Sequence, residues 1–165
     1  MLPTKLTTTT IPGAAPTGLI SFSEATRFTP AKHAASLEWC AANGRPAPAH
    51  LLYPRTKGFV TTVQHLREAR HVKAVYDLTI AYQRGSRWRE APNMWQTIAL
   101  SRLSLGQRRG GHGYRFHVHA MRFPLEELPP DDEGLARWLE QRWVDKGEWL
   151  EGKKAQWAEE SQVGS

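Results

Sequence analysis

Two short apolar runs, Gly18–Phe22 and His50–Tyr53, each break off into a corner of charged and hydroxyl side chains. A helical pattern follows each corner. Thr29-Pro30 reads as a cap with Pro at the first helical position. Ala34, Leu37, Cys40 and Ala41 then recur at helical spacing, and Gly44 supplies a stop. After the second run, Phe59, Val63 and Leu66 stand at i, i+4 and i+7, which predicts an amphipathic helix over 58–70. Val72 to Tyr82 alternates in part and is rich in β-formers, a third strand. Tyr114, Phe116, Val118 and Ala120 alternate with Arg115, His117 and His119. That pattern is a half-buried strand, with the apolar set inward and the histidines toward solvent. Pro129-Pro130-Asp131-Asp132 introduces a last helix carrying Leu135, Trp138, Leu139 and Trp143, open to continuation through Trp149 to Trp157. Strands alternating with helices imply an α/β fold with a mixed, partly parallel sheet and flanking helices. The sheet is short and starts almost at the lead-in, so it reads as incomplete.

Three regions follow. Residues 1–17 are rich in Thr, Pro, Ala and Gly, a composition that does not pack and reads as a disordered lead-in. Residues 18–130 form the main domain, and 131–165 a helical extension. Within the domain, 83–112 reads as a loop with a helical turn or two around Met94 to Leu105.

A chain of 165 residues with 40% hydrophobic content can bury one real core. Its single cysteine, Cys40, excludes an internal disulfide. No stretch approaches the roughly twenty apolar residues that a spanning helix needs, and no signal peptide is visible after Met1. Seven Trp suit a core and also a membrane interface. The net charge of +6 is unevenly spread. Residues 84–122 hold eight Arg against Glu90 alone, while residues 123–165 hold five basic groups against eleven acids. The basic part suits phosphates on lipid headgroups, acyl-CoA or nucleic acid; a solvated Arg-rich loop is the plainer alternative.

The chemistry lies at the corners. In Glu24-Ala25-Thr26-Arg27, the Arg27 guanidinium is a rigid donor fork that matches a phosphate, and the Thr26 hydroxyl can donate to the same oxygens. Glu24 can orient Arg27 through an ion pair or accept from a ligand hydroxyl. In the second corner, Pro54 ends the run and Arg55-Thr56-Lys57-Gly58 turns into a helix. Cations beside unpaired N–H groups at a helix start make an anion site. A surface ion pair in the first corner and a basic helix cap in the second are the alternatives. Elsewhere, His112, His117 and His119 are too few to hold zinc, with Cys40 remote. Arg108-Arg109-Gly110-Gly111 is a single arginine-glycine segment, a weak signal for RNA.

Phe22 to Thr29 and Leu51 to Phe59, in this order and at this separation, resemble the third and fourth sequence blocks of the glycerophospholipid acyltransferases, which read F-P-E-G-T-R-F-T and L-x-P-R-T-K-G-F. The likeness runs on through Leu66-Arg67, Ala74 to Thr79 and Arg122 to Pro129. It implies an α/β acyltransferase domain, here its C-terminal half. It implies that Glu24, Thr26 and Arg27 hold the phosphate or glycerol end of a lysophospholipid acceptor. Pro54, Arg55, Thr56, Lys57 and Gly58 would line the same cleft. Acyl-CoA would be the co-substrate, with no cofactor or metal. The resemblance also implies the endoplasmic reticulum or another endomembrane, with a membrane surface among the partners. Two positions depart from the pattern: Ser23 stands for Pro, and Ala25 for Gly. The methyl of Ala25 should close off positive φ and narrow the phosphate site.

The family takes the acceptor proton with a histidine held by an aspartate, in the pattern H-x-x-x-x-D. None of the seven histidines here (33, 50, 65, 71, 112, 117 and 119) starts one. The nearest approach, His33 with Glu38, lies within a predicted helix, where i and i+5 point to different faces. No catalytic residue is therefore assigned, and the chain alone is expected to catalyse little or nothing. A non-catalytic phosphate-binding module, for lipid headgroups or less readily for RNA, is the competing class.

Overall fold

A long helix lies across a small sheet and seats a second helix against its first half. The computed structural model describes residues 19–69, 71–84, 87–89, 91 and 114–163. The expected lead-in over 1–17, and most of the loop expected over 83–112, lie outside the described residues. The described elements are α1 (Pro30–Ala42), α2 (Thr56–Glu68), β1 (Ala74–Arg84), β2 (Arg87–Arg89), β3 (Tyr114–Pro124), a 3-10 turn (Leu125–Glu127) and α3 (Asp132–Val163).

The helix starts follow their caps. The Thr29 hydroxyl accepts from Lys32 N at 3.3 Å with Pro30 in the first turn of α1. Asp131 accepts from Gly134 N at 2.7 Å at the start of α3. Gly44, at φ 58°, follows the end of α1, where Arg45 N reaches back to Cys40 O at 2.9 Å. α3 runs 32 residues without a break, past Trp149 and Trp157. Its buried hydrophobic residues Leu135, Leu139, Trp143, Leu150 and Trp157 fall on one stripe at steps of four and seven. The first three pack with Phe59, Val60 and Val63 of α2 and with Leu125 and Leu128. Leu150 and Trp157 pack with Ala81 of β1. Each such side chain withdrawn from water contributes about 1.5–3 kcal/mol.

Gly147 lets α3 pass close to the chain ahead of α2. A Cβ there would stand 2.8 Å from Ala49 N and 2.9 Å from Ala49 O. Arg67 fastens the other side of α2 by donating to the carbonyls of Leu128, Pro129 and Pro130 at 3.0, 2.7 and 3.0 Å.

Helices flank a sheet, as the α/β pattern implies, but the described sheet has order β2-β1-β3 and is antiparallel at both pairings. The parallel part was to come from strands at Gly18–Phe22 and His50–Tyr53, and residues 19–22 and 50–53 are not strands. Leu19, Ile20 and Phe22 are exposed. An apolar run becomes a strand only where a neighbour completes its hydrogen bonds, and neither run has one among the described residues. The α1 stripe is likewise left largely uncovered: Cys40 is buried, while Ala34, Leu37 and Ala41 are exposed.

The alternation in β3 is as expected, but the sides are exchanged. Phe116 and Val118 are each 59% exposed. His117 and His119 turn under α3, where His117 lies 4.7 Å from the Trp157 ring and His119 stacks on Trp149 at 5.2 Å. His117 also reaches Gln83 Oε1 at 3.2 Å. Period-two patterning sorts residues onto two faces and does not say which face a helix will cover. Here the indoles of α3 cover the histidine face.

Candidate functional site

The corners meet through the backbone. Phe22 O accepts from Ala25 N at 2.9 Å, closing a tight turn, and Arg55 N donates to Ser23 O at 2.7 Å. Pro54, less than 2% exposed, and Leu52 hold the second corner down against the interior. The peptide before it is pinned by Tyr53 N donating to Ser36 Oγ at 3.0 Å. Tyr53 OH in turn meets the buried Glu140, which pairs with Arg45 at 3.3 Å. Burial first, and then the Glu140 carboxylate, push the Tyr53 hydroxyl well above its ordinary range.

Ala25 sits at φ 54°. The closing of positive φ expected from its methyl does not occur: the residue occupies the left-handed region that glycine enters without strain. The departure from the family pattern thus costs stability, about 1–2 kcal/mol, and leaves the turn intact.

The turn splits its side chains between inside and outside. Thr26 and Arg27 are exposed and Glu24 is half-buried. Arg27 Nη2 donates to Ala91 O at 2.7 Å, just beyond β2. Lys32 Nζ donates to Thr26 Oγ1 at 2.6 Å and to Arg27 O at 3.5 Å. Glu24 turns the other way. Burial raises its carboxyl above the usual range, opposed by the Lys146 charge and by the Leu52 backbone. Lys146 ion-pairs with Asp77, donates to Leu78 O at 3.0 Å and lies 4.4 Å over the Trp143 ring. Of the two roles open to Glu24, the ion pair with Arg27 is not among the ion pairs of the described residues, and the Arg27 guanidinium donates to Ala91 O instead. Arg27 also acts on Tyr82, whose hydroxyl is raised by burial and lowered in part by that guanidinium.

In the second corner, Arg55, Lys57 and Gly58 are exposed and Thr56 is half-buried. α2 starts at Thr56 with no side chain capping it. The first-turn N–H groups there carry the positive end of the helix dipole. Four cations, Arg27, Lys32, Arg55 and Lys57, thus belong to the two joined corners or to the first turn of α1. Such an arrangement can hold a phosphate by its oxygens. Lys32 and Lys146 escape a motif reading. Lys32 did leave a trace: it is a cation in the first turn of a helix, where the dipole disfavours one. Lys146 left none, since only the fold brings it to Glu24. The pair His33 and Glu38 makes no catalytic dyad: the His33 ring lies 3.4 Å from Pro48 O and packs on Phe28.

A family model described as acyltransferase C-terminus matches residues 109–154. The chain is 35% identical over 123 residues to 1-acyl-sn-glycerol-3-phosphate acyltransferase delta of Bos taurus, covering 74% of this chain and 28% of the relative. It is 36% identical over 125 residues to 1-acyl-sn-glycerol-3-phosphate acyltransferase gamma of Mus musculus, covering 76% and 29%. It is 34% identical over 135 residues to lysocardiolipin acyltransferase 1 of Mus musculus, covering 82% and 32%. The chain thus spans less than a third of the length of these relatives. No solved structure matches it.

Proposed function

We propose that this chain, which belongs to the glycerophospholipid acyltransferase family, holds the phosphate-bearing end of a lysophospholipid acceptor at its joined corners. The observation that carries this reading is the bond from Arg55 N to Ser23 O at 2.7 Å. It puts the Thr26–Arg27 corner beside the Arg55–Gly58 corner. Arg27 and Arg55 would take phosphate oxygens on their guanidinium forks, and Lys57 would add a point charge. Thr26 and the first-turn N–H groups of α2, at Thr56 to Gly58, would donate to the remaining oxygens. Pro54, packed inward, would keep the turn rigid. Glu24, drawn inward by Leu52 and Lys146, would hold the turn or meet a glycerol hydroxyl at its inner wall.

Transfer of an acyl group from acyl-CoA to that acceptor is the activity proposed for a complete relative of this chain. The step needs a base for the acceptor's hydroxyl proton, and these 165 residues contain no H-x-x-x-x-D. We infer that the chain alone binds and does not turn over. The reading places it at an endomembrane such as the endoplasmic reticulum. No helix among the described residues is long and apolar enough to cross a membrane.

Two measurements on the purified chain test this. Lysophosphatidic acid below its micellar concentration should bind, and Arg27→Gln and Arg55→Gln should each weaken it about tenfold, the scale of one charge-assisted bond. Equal binding by both variants would remove the site. Incubation with lysophosphatidic acid and oleoyl-CoA should release no CoA; turnover would refute the inactivity.

A further inference from the structure

The sheet ends at β3. Its order β2-β1-β3 leaves the outer edge of β3 with no strand beside it among the described residues. An edge strand carries a row of unpaired N–H and C=O groups, a template for another strand. The pleat decides which residues supply that row. Leu125 N donates to Lys73 O at 3.0 Å, one step beyond the Ala74–Pro124 pair. In an antiparallel ladder such bonded pairs alternate with unbonded ones. The odd-numbered residues from Arg115 to Phe123 therefore turn their N–H and C=O groups toward β1. Residues 114, 116, 118, 120 and 122 turn theirs outward. Pro124 belongs to the outward set, and a strand proline sits where the ladder asks nothing of its nitrogen.

The body of α3 lies toward the other side of the sheet. Leu150 and Trp157 pack on Ala81 of β1, with Trp88 of β2 beside them. Lys146 donates to Leu78 O of β1 at 3.0 Å. From there the indoles of Trp149 and Trp157 reach across to His119 and His117. On β3 itself, Phe116 and Val118 are each 59% exposed, and Arg115, Ala120 and Arg122 are exposed too.

We propose that β3 pairs along this edge with β3 of a second copy of the chain, antiparallel and about a twofold axis at His119. The strand's own sequence selects this occupant. β3 runs from Tyr114 to Pro124 with His119 at its centre, so this register overlaps the two strands over their whole length. Each residue then faces the one equally far on the other side of His119. Phe116 meets Arg122, Arg115 meets Phe123, Val118 meets Ala120 and His117 meets Met121, and symmetry makes each contact twice. A guanidinium against an aromatic ring is an attractive cross-strand pair. Phe123 already draws one guanidinium, that of Arg142 at 5.3 Å. No arginine faces an arginine, because Arg115 and Arg122 stand on opposite faces of the strand. Each outward N–H of residues 114 to 122 finds a carbonyl of the copy. Moving the axis one step, to Val118 or Ala120, shortens the overlap and breaks both Arg–Phe pairs. An unrelated strand would offer the hydrogen bonds without these side-chain matches. The axis stands perpendicular to the sheet, so both α3 helices remain on one side and the two sheets become one.

The test is light scattering on the purified chain over a concentration series, with circular dichroism on every variant. A dimer that dissociates on dilution is expected. Ala120→Pro removes an outward N–H and leaves the ladder to β1 intact. It should weaken the dimer about thirtyfold, at about fivefold for each of the two hydrogen bonds lost across the axis. Arg122→Glu sets a carboxylate against the Phe116 ring and should weaken the dimer about tenfold. Phe116→Lys added to that variant puts an ammonium opposite the carboxylate and should restore the affinity. The restoration is specific to this register. Both side chains are exposed, so this pair of variants decides the matter even if Ala120→Pro unfolds the chain. A chain monomeric up to about 1 mM, the limit for a weak specific pair, would overturn the inference. So would native dimer affinity in a folded Ala120→Pro variant, or a loss on Arg122→Glu that Phe116→Lys does not repair.

Discussion

The two corners are joined by one backbone bond, yet they are anchored in different ways. The Pro54–Gly58 corner opens directly into α2, whose Phe59, Val60 and Val63 enter the core beside Leu135, Leu139 and Trp143. The Ser23–Thr29 corner follows a stretch with Leu19, Ile20 and Phe22 in the open. It is held by polar contacts: Arg55 to Ser23, Arg27 to Ala91 and Lys32 to Thr26. The first kind of anchor is hydrophobic and shared with the whole fold; the second is local. A ligand site built on both has one fixed wall and one wall whose position depends on a few hydrogen bonds.

The largest expected effect breaks the fixed wall. Leu135 is fully buried in the cluster that seats α2. Leu135→Ala should lower unfolding stability by about 2–5 kcal/mol in urea titration. Phe22→Ala, at 82% exposure, should move it by no more than about 0.5 kcal/mol. Comparable losses from the two would mean that the corners are anchored alike. Gly147→Ala comes next. Its Cβ would press on the Ala49 backbone, so α3 or the chain ahead of the second corner must shift. A loss of about 1–3 kcal/mol is expected by the same titration.

Much of this difference was open to a sequence reader and part of it was closed. The spacing of Phe59, Val63 and Leu66 identifies α2, because a helix that long carries its own period. The cap at Thr29 is local chemistry and stands where expected, and the last helix starts at the Pro129–Asp132 run that introduces it. The run ahead of Ser23 has the composition of a strand, but pairing is a property of two segments, and composition describes one. The same limit explains β3. Alternation there separates His117 and His119 from Phe116 and Val118, and the choice of covered face waits on Trp149 and Trp157 of α3, thirty and more residues later. At the site, Arg27 and Arg55 are visible as motif residues. Lys32 was visible only as an oddly placed helix cation, and the Lys146 charge acts on Glu24 across more than a hundred residues of sequence.

Ala25 sharpens the first corner from the stabilising side. At φ 54° it pays the steric strain of a Cβ in the left-handed region. Ala25→Gly should stabilise the chain by about 1 kcal/mol, somewhat less than the strain removed because glycine also frees the unfolded chain. A melting temperature that falls instead would show that the turn does not need this conformation in solution.

The smallest effect concerns the inner side of the same corner. The Glu24 carboxyl is raised above its usual 4.5, chiefly by burial and despite the Lys146 charge. A raised folded value means that the folded chain binds this proton more tightly than the unfolded chain does. The resulting stabilisation is complete below pH 4.5 and is lost as pH climbs through the folded value. Glu24→Gln keeps the carbonyl acceptor and cannot ionise. The stability of the native chain relative to this variant should therefore fall as pH rises from the usual carboxyl value of 4.5 through the raised folded value. Parallel curves for the two would place Glu24 in water, and the first corner would then have no inward anchor. A curve that rises with pH would give Lys146 the upper hand over burial, making the ion attraction across to α3 the tie that holds this corner.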